Sequence, residues 1–133
     1  MSTGKKPDRL FDLMGFVREV ETGEQTRAVL EFRASMAMCH SGGIVQGGFV
    51  TGWIDAAMAN AVIKASGRTL VPLSLEIKVS FLQSAGPGLV IAEGLIEKMG
   101  RKTAFLEGRL LNEAGEVLAT GSSTARLVPM TPS

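Results

Sequence analysis

Between residues 73 and 81 the chain alternates without a break. Leu73, Leu75, Ile77, Val79 and Phe81 are apolar, and Ser74, Glu76, Lys78 and Ser80 between them are polar. A period of two predicts a long strand with one face buried. Residues 48–65 follow another rule. They are rich in Ala and Met, and Phe49, Val50, Trp53, Ile54, Ala57, Met58, Ala61 and Val62 cover most of the circumference at helical spacing. That pattern predicts a helix buried on most sides. Asp55 interrupts it alone.

The rest of the chain is read the same way. A short amphipathic helix is expected at 8–14, with Leu10, Phe11 and Met14 on one side, and a strand at 27–33. "GPG" at 86–88 ends the alternating strand, and further strands are expected at 89–98, 103–111 and 116–127. The turns between them are "MGRK" at 99–102 and "NEAG" at 112–115, the latter with Gly at the position that needs a positive φ. Short turns imply that the last four strands form an antiparallel meander. Residues 1–15 read as an N-terminal extension and 128–133 as a frayed tail. A helix over 48–65 would span roughly 27 Å and a nine-residue strand about 30 Å. An α+β fold follows, in which a curved antiparallel sheet wraps around a long central helix.

Composition narrows the function. The 133 residues suit a single domain, 1–133. A net charge of +1 argues against a nucleic-acid binder. The N-terminus lacks the apolar core of a secretory signal, and the apolar run over 44–63 is broken by Gln46, glycines, Asp55 and Asn60, so no membrane span is expected. One cysteine, Cys39, points to a reducing compartment, and the expected location is cytoplasmic. The sixteen glycines fall mainly at expected turns and ahead of Asp55. One His, one Cys and scattered carboxylates make no metal-ligand cluster, so neither metal nor cofactor is expected.

Candidate chemistry centres on Asp55. Burying an unpaired carboxylate costs on the order of several kcal/mol, while partial desolvation makes a carboxylate a better proton acceptor. Upstream, Gly47 and Gly48 open the helix, where unpaired N–H groups are available and a glycine lets a substrate approach. His40 is the single histidine, and Cys39 beside it points to the opposite face of an extended chain, which disfavours a Cys–His pair. Lys98, Arg101 and Lys102 cluster around one turn.

These residues resemble the hot-dog fold and, within it, the PaaI-type acyl-CoA thioesterases, over about residues 27–127. The family pattern N-x-x-G-x-x-H-G-G, followed by an acid eight residues after the first of the paired glycines, is matched by His40, Gly43, Gln46, Gly47, Gly48 and Asp55. His40 stands where the family has Asn, and Gln46 where it has His. "LVPLSLEIKVSFL" resembles the next strand, in which a Ser or Thr faces the acid; Ser74 is the match, although alternation alone leaves it on the polar face. The resemblance implies hydrolysis of an acyl-CoA to free acid and CoA, the coenzyme A being part of the substrate. Asp55 would be general base or nucleophile, and the Gly47 amide would polarise the carbonyl, a donor worth about 3 kcal/mol in a transition state. His40 and Ser74 would assist; Gln46, Gly48, Lys98, Arg101 and Lys102 would bind substrate, the three cations through nucleotide phosphates. A single copy would leave one helix side and its sheet edges open, so a homodimer is expected and a homotetramer is compatible with it. The resemblance implies a site in which Gly47 and Asp55 come from different subunits. Two rival readings remain at this stage: a hydratase or dehydratase using His40 with Asp55, and a non-catalytic acyl-CoA-binding module.

Overall fold

The computed structural model describes residues 9–131. A short helix α1 (Arg9–Leu13) leads into strands β1 (Phe16–Val20) and β2 (Arg27–Ala34). Two very short strands, β3 (Cys39–His40) and β4 (Ile44–Val45), pair with each other and deliver the chain to the long helix α2 (Gly47–Ala65). Then come β5 (Leu70–Phe81), β6 (Gly88–Met99), β7 (Thr103–Asn112) and β8 (Val117–Pro129). The expected α+β architecture is present, with α2 against one antiparallel six-stranded sheet. β1 goes beyond the expectation; its five residues, half-buried at the ends and exposed between, are too few to show a period.

The strand order is β1-β2-β6-β7-β8-β5, which corrects the expected four-strand meander. β6, β7 and β8 do form a meander, but β5 pairs with the far side of β8, and β2 takes the place beside β6. The reason is the length of the link. Residues 82–87 all leave strand geometry, and six extended residues reach about 20 Å, more than the roughly 14 Å of three strand spacings. The amides of Leu82 and Gln83 both donate to the Leu118 carbonyl and start the crossing along β8. β5 is therefore an edge strand, the setting in which Pro72 is tolerated.

Met14 near one end of the described residues and Val128–Pro129 near the other are held more firmly than the sequence suggests. Asp8, the first residue of the expected N-terminal helix, lies outside the described residues, but Met14 is buried and its carbonyl accepts from Trp53 Nε1 at 2.8 Å. That bond satisfies the indole inside the core. At the other end Val128 and Pro129, expected to fray, pair with Val71 and Leu70. Residues 132–133 of the expected tail lie outside the described residues.

The sheet grips α2 closely. Trp53, Ile54, Ala57, Met58, Ala61 and Val62 are fully buried under it. Three glycines make the approach possible: Gly94, Gly108 and Gly121 pair in a row across β6, β7 and β8. A Cβ on Gly94 would run into the Ala57 carbonyl, and one on Gly108 would lie 2.8 Å from Ile54 Cγ2. Glycine in a strand centre ordinarily weakens a sheet, and here it admits the helix. One strip of α2 is the least covered among the described residues: Gly48 and Asp55 are exposed, and Gly52, Ala56, Ala59 and Asn60 are half-exposed. The helix is thus buried on most sides, as expected, but Asp55 lies on the open one.

Candidate active site

The first turn of α2 is built by three consecutive residues. Gln46 is the N-cap, with extended backbone (φ −64°, ψ 137°), and its side-chain Oε1 accepts from the Gly48 amide at 2.8 Å. A Cβ on Gly48 would stand 2.7 Å from that oxygen, so glycine at 48 is a condition of the cap. The Phe49 amide donates to the Gln46 carbonyl. Among the described residues the Gly47 N–H is left with no acceptor. It points out of the positive end of a nineteen-residue helix, a place that favours negative charge. Phe81 covers this residue: a Cβ on Gly47 would be 3.2 Å from the ring's Cζ. A cleft of about 370 Å³ opens here, lined by His40, Ile44, Gly47, Val50 and Phe81 among others.

Asp55 lies two turns further along, and its neighbours come from the sheet. Ser74 Oγ donates to Asp55 Oδ1 at 3.2 Å, and Ser123 Oγ donates to Ser74 Oγ at 3.4 Å. Ser74 can do this only because β5 contains a bulge. Residues 76–81 and 70–74 pair with β8 in registers that differ by one, and Leu75 is the extra residue. An unbroken strand would set Leu75 opposite Ala125, on the helix side; the bulge sets Ser74 there and turns Leu73 outward. This corrects the alternation, which leaves Ser74 on the polar face. Leu73 and Leu75, expected to be core, are 54% and 68% exposed.

The other expected residues fall into separate groups. His40 is exposed and shares the Gly47 cleft, to which Asp55 does not contribute. Cys39 turns the other way, half-buried, with its Sγ donating to the Ser35 carbonyl at 3.4 Å. Gln46 and Gly48 are committed to each other in the cap. Lys98, Arg101 and Lys102 are exposed at the β6–β7 turn. Register relates that turn to Ser74: Ala125 of β8 pairs with both Ser74 and Ala104, so two strand spacings, about 10 Å, separate Ser74 from the start of β7. Trp53 and Met58 are core, while Phe49 borders a small recess of about 240 Å³ with Leu10, Met14 and Gly52. A larger concavity, about 650 Å³, lies on the outer face of the sheet around the ion pairs of Glu93 with Arg27 and Arg109, and holds none of the expected residues.

A helix opened by a glycine pair, an acid two turns on and a curved sheet behind them suit thioester chemistry, and the family comparison agrees. The profile of the thioesterase superfamily matches residues 42–119, more than half of the chain. The chain belongs to the thioesterase superfamily. Among solved structures, the Escherichia coli PaaI protein from the phenylacetic acid degradation operon is 18% identical, with a TM-score of 0.82 over 93% of this chain and 87% of that one. A phenylacetic acid degradation-related protein from Ralstonia eutropha JMP134 is 24% identical, with a TM-score of 0.79 over 93% of both chains. A thioesterase from Haemophilus influenzae is 14% identical, with a TM-score of 0.81 over 92% of this chain and 85% of that one. At such identities the likeness establishes the hot-dog fold. No curated protein matches the chain.

This thioesterase is a thioester hydrolase. No helix among the described residues is long and apolar enough to cross a membrane. Sequence reasoning missed two residues of the site, Ser123 and Phe81. Ser123 had a signal: it falls in phase with Ala119, Gly121, Ala125 and Leu127 along β8, and so with the inner face. Phe81 had none, since its place over Gly47 depends on the crossing of 82–87.

Proposed function

We propose that this thioesterase hydrolyses an acyl-CoA to the free acid and CoA, with the Gly47 amide and the Asp55 carboxylate acting on one thioester. The observation that carries the reading is the state of Asp55. It sits on the uncovered strip of α2, one oxygen anchored by Ser74 and the other, among the described residues, without a protein partner. In the reaction a water oxygen attacks the thioester carbonyl carbon while its proton passes to Asp55. Negative charge develops on the carbonyl oxygen, where the Gly47 N–H and the helix dipole meet it. The C–S bond then breaks, and the CoA sulfur takes the proton. In the variant route an Asp55 oxygen attacks the carbonyl carbon, the C–S bond breaks and the CoA thiolate leaves to take a proton from solvent, and water then hydrolyses the resulting mixed anhydride. Neither route calls for a metal or a further cofactor.

Helix geometry supports a site shared by two copies. Eight residues along α2 correspond to about 12 Å, too far for one chain's Gly47 amide and Asp55 to serve one carbonyl. β5 is a twelve-residue edge strand with Leu73 and Leu75 exposed on either side of Ser74, an edge suited to another copy. Covering it would also desolvate Asp55, which a single copy leaves in water. The exposed Lys98, Arg101 and Lys102, near the Ser74 row, suit the phosphates of a CoA nucleotide. His40, at the Gly47 cleft, would meet the acyl side of the substrate, and a cytoplasmic setting would supply acyl-CoA.

The test is a panel of saturated acyl-CoA esters, short, medium and long, with one aromatic ester, scored by thiol release for wild type and Asp55→Asn. A loss of about a thousandfold or more on the best ester is expected for a group acting in the transition state. Equal rates for the two proteins would remove Asp55 from the mechanism, and no thiol release from any ester would remove acyl-CoA as the substrate class.

A further inference from the structure

We propose that Ser123 is a positioning residue of this site: through Ser74, its buried hydroxyl fixes the orientation of the Asp55 carboxylate. The inference rests on the reading of Asp55 as the reacting carboxylate. Among the described residues Ser123 is the one polar side chain buried with the core, 5% exposed. Its partners across the sheet are Ile77 and Leu106, and its neighbours along the inner face of β8 are Gly121 and Ala125. A hydroxyl in such a layer is unfavourable unless it is bonded, and alanine would fill the same space. Size alone therefore leaves the oxygen unexplained.

The direction of the bonds explains it. Ser123 donates to Ser74 Oγ, and Ser74 donates to Asp55 Oδ1. With its oxygen already accepting, the Ser74 hydroxyl has its proton committed to the carboxylate, and each bond polarises the next. Asp55 is then held by one oxygen, with the other turned to the reactant. The bulge at Leu75 is part of the same device, because it brings Ser74 to the inner face, diagonal to Ser123. At 3.4 Å the first link is long for an O–H···O bond, which sets the expected effect toward the lower end of what one hydrogen bond carries.

The experiment compares wild type, Ser123→Ala, Ser74→Ala and the double variant on the best ester of the acyl-CoA panel, with melting curves for all four. Ser123→Ala is expected to lower kcat by about twofold to fivefold, leaving KM and the melting temperature where they were. Ser74→Ala is expected to lose more, and the double variant to match Ser74→Ala, because Ser123 acts only through Ser74. A wild-type kcat in Ser123→Ala overturns the proposal. So does a loss that repeats in full on the Ser74→Ala background, or one that comes with a lowered melting temperature. A fully active Asp55→Asn would sink the catalytic reading itself, whereas an inactive Asp55→Asn beside a fully active Ser123→Ala sinks this inference alone.

Discussion

The two ends of the proposed site are made in different ways. At the first turn of α2 the parts are adjacent in sequence: Gln46 caps Gly48, and Gly47 is left with an N–H that has no acceptor among the described residues. At the third turn Asp55 depends on Ser74 and Ser123, nineteen and sixty-eight residues further along the chain, brought together by an edge strand with a bulge. The first end is a backbone device that any helix start of this kind possesses. The second is a tertiary device, and it lies on a helix strip that is exposed or half-exposed among the described residues. In the proposed reaction electrophilic help is thus built in locally, while the carboxylate would take the rest of its surroundings from a second copy.

The largest effect that could break this comparison comes from separating the two ends on different chains. Gly47→Pro removes the N–H while suiting the first helical position, and the extended Gln46 before it is compatible with a following proline. That variant is expected to fold and to lose about a hundredfold to a thousandfold in kcat. Coexpressed with Asp55→Asn under a second affinity tag, it yields mixed dimers in which one site carries both substitutions and the other none. About half of the wild-type activity per dimer should return, since one site of a two-fold pair is intact. If each site lay within one chain, mixed dimers would retain only the residual rates of the two variants.

How much of this was legible in the sequence follows the same division. The helix, its glycine start and the acid two turns on are local spacings, and α2 begins within one residue of the expected position. The strands of the 88–129 meander were legible from period and turns. The place of β5 was not, because its alternation from Leu73 to Phe81 continues unbroken through the bulge. Apolar residues at 73 and 75 suit a core strand as well as an edge that meets another protein surface, and period alone cannot tell these apart. Gly94, Gly108 and Gly121 were hidden for a related reason: a glycine reads as a turn until the register sets three of them in one row beneath a helix.

A gentler change at position 47 sharpens the assignment of the amide. Gly47→Ala keeps the N–H and adds a Cβ that would stand 3.2 Å from the Phe81 ring. Phe81 is 56% exposed, so its ring has room to swing aside. A fall in kcat/KM of about threefold to tenfold is expected, short of the hundredfold that a 1 Å misplacement can cost. If Gly47→Ala were as inactive as Gly47→Pro, the open space over the glycine would matter more than its N–H.

The smallest expected effect concerns Gln46, which the family pattern makes a substrate-binding position and the helix start makes a cap. The two roles predict opposite signatures. Loss of an N-cap side chain costs about 1 kcal/mol, which for a chain of this size lowers Tm by roughly 3–5 °C. Gln46→Ala should therefore melt earlier yet keep kcat within about twofold, because the Gly47 N–H does not depend on the cap for its freedom. Gln46→Asn, carrying a preferred capping side chain, should regain most of the lost Tm. A Gln46→Ala protein that melts like wild type but loses an order of magnitude in kcat/KM would put the amide on the substrate. The first turn would then be more than a backbone device, and its difference from the Asp55 end would narrow accordingly.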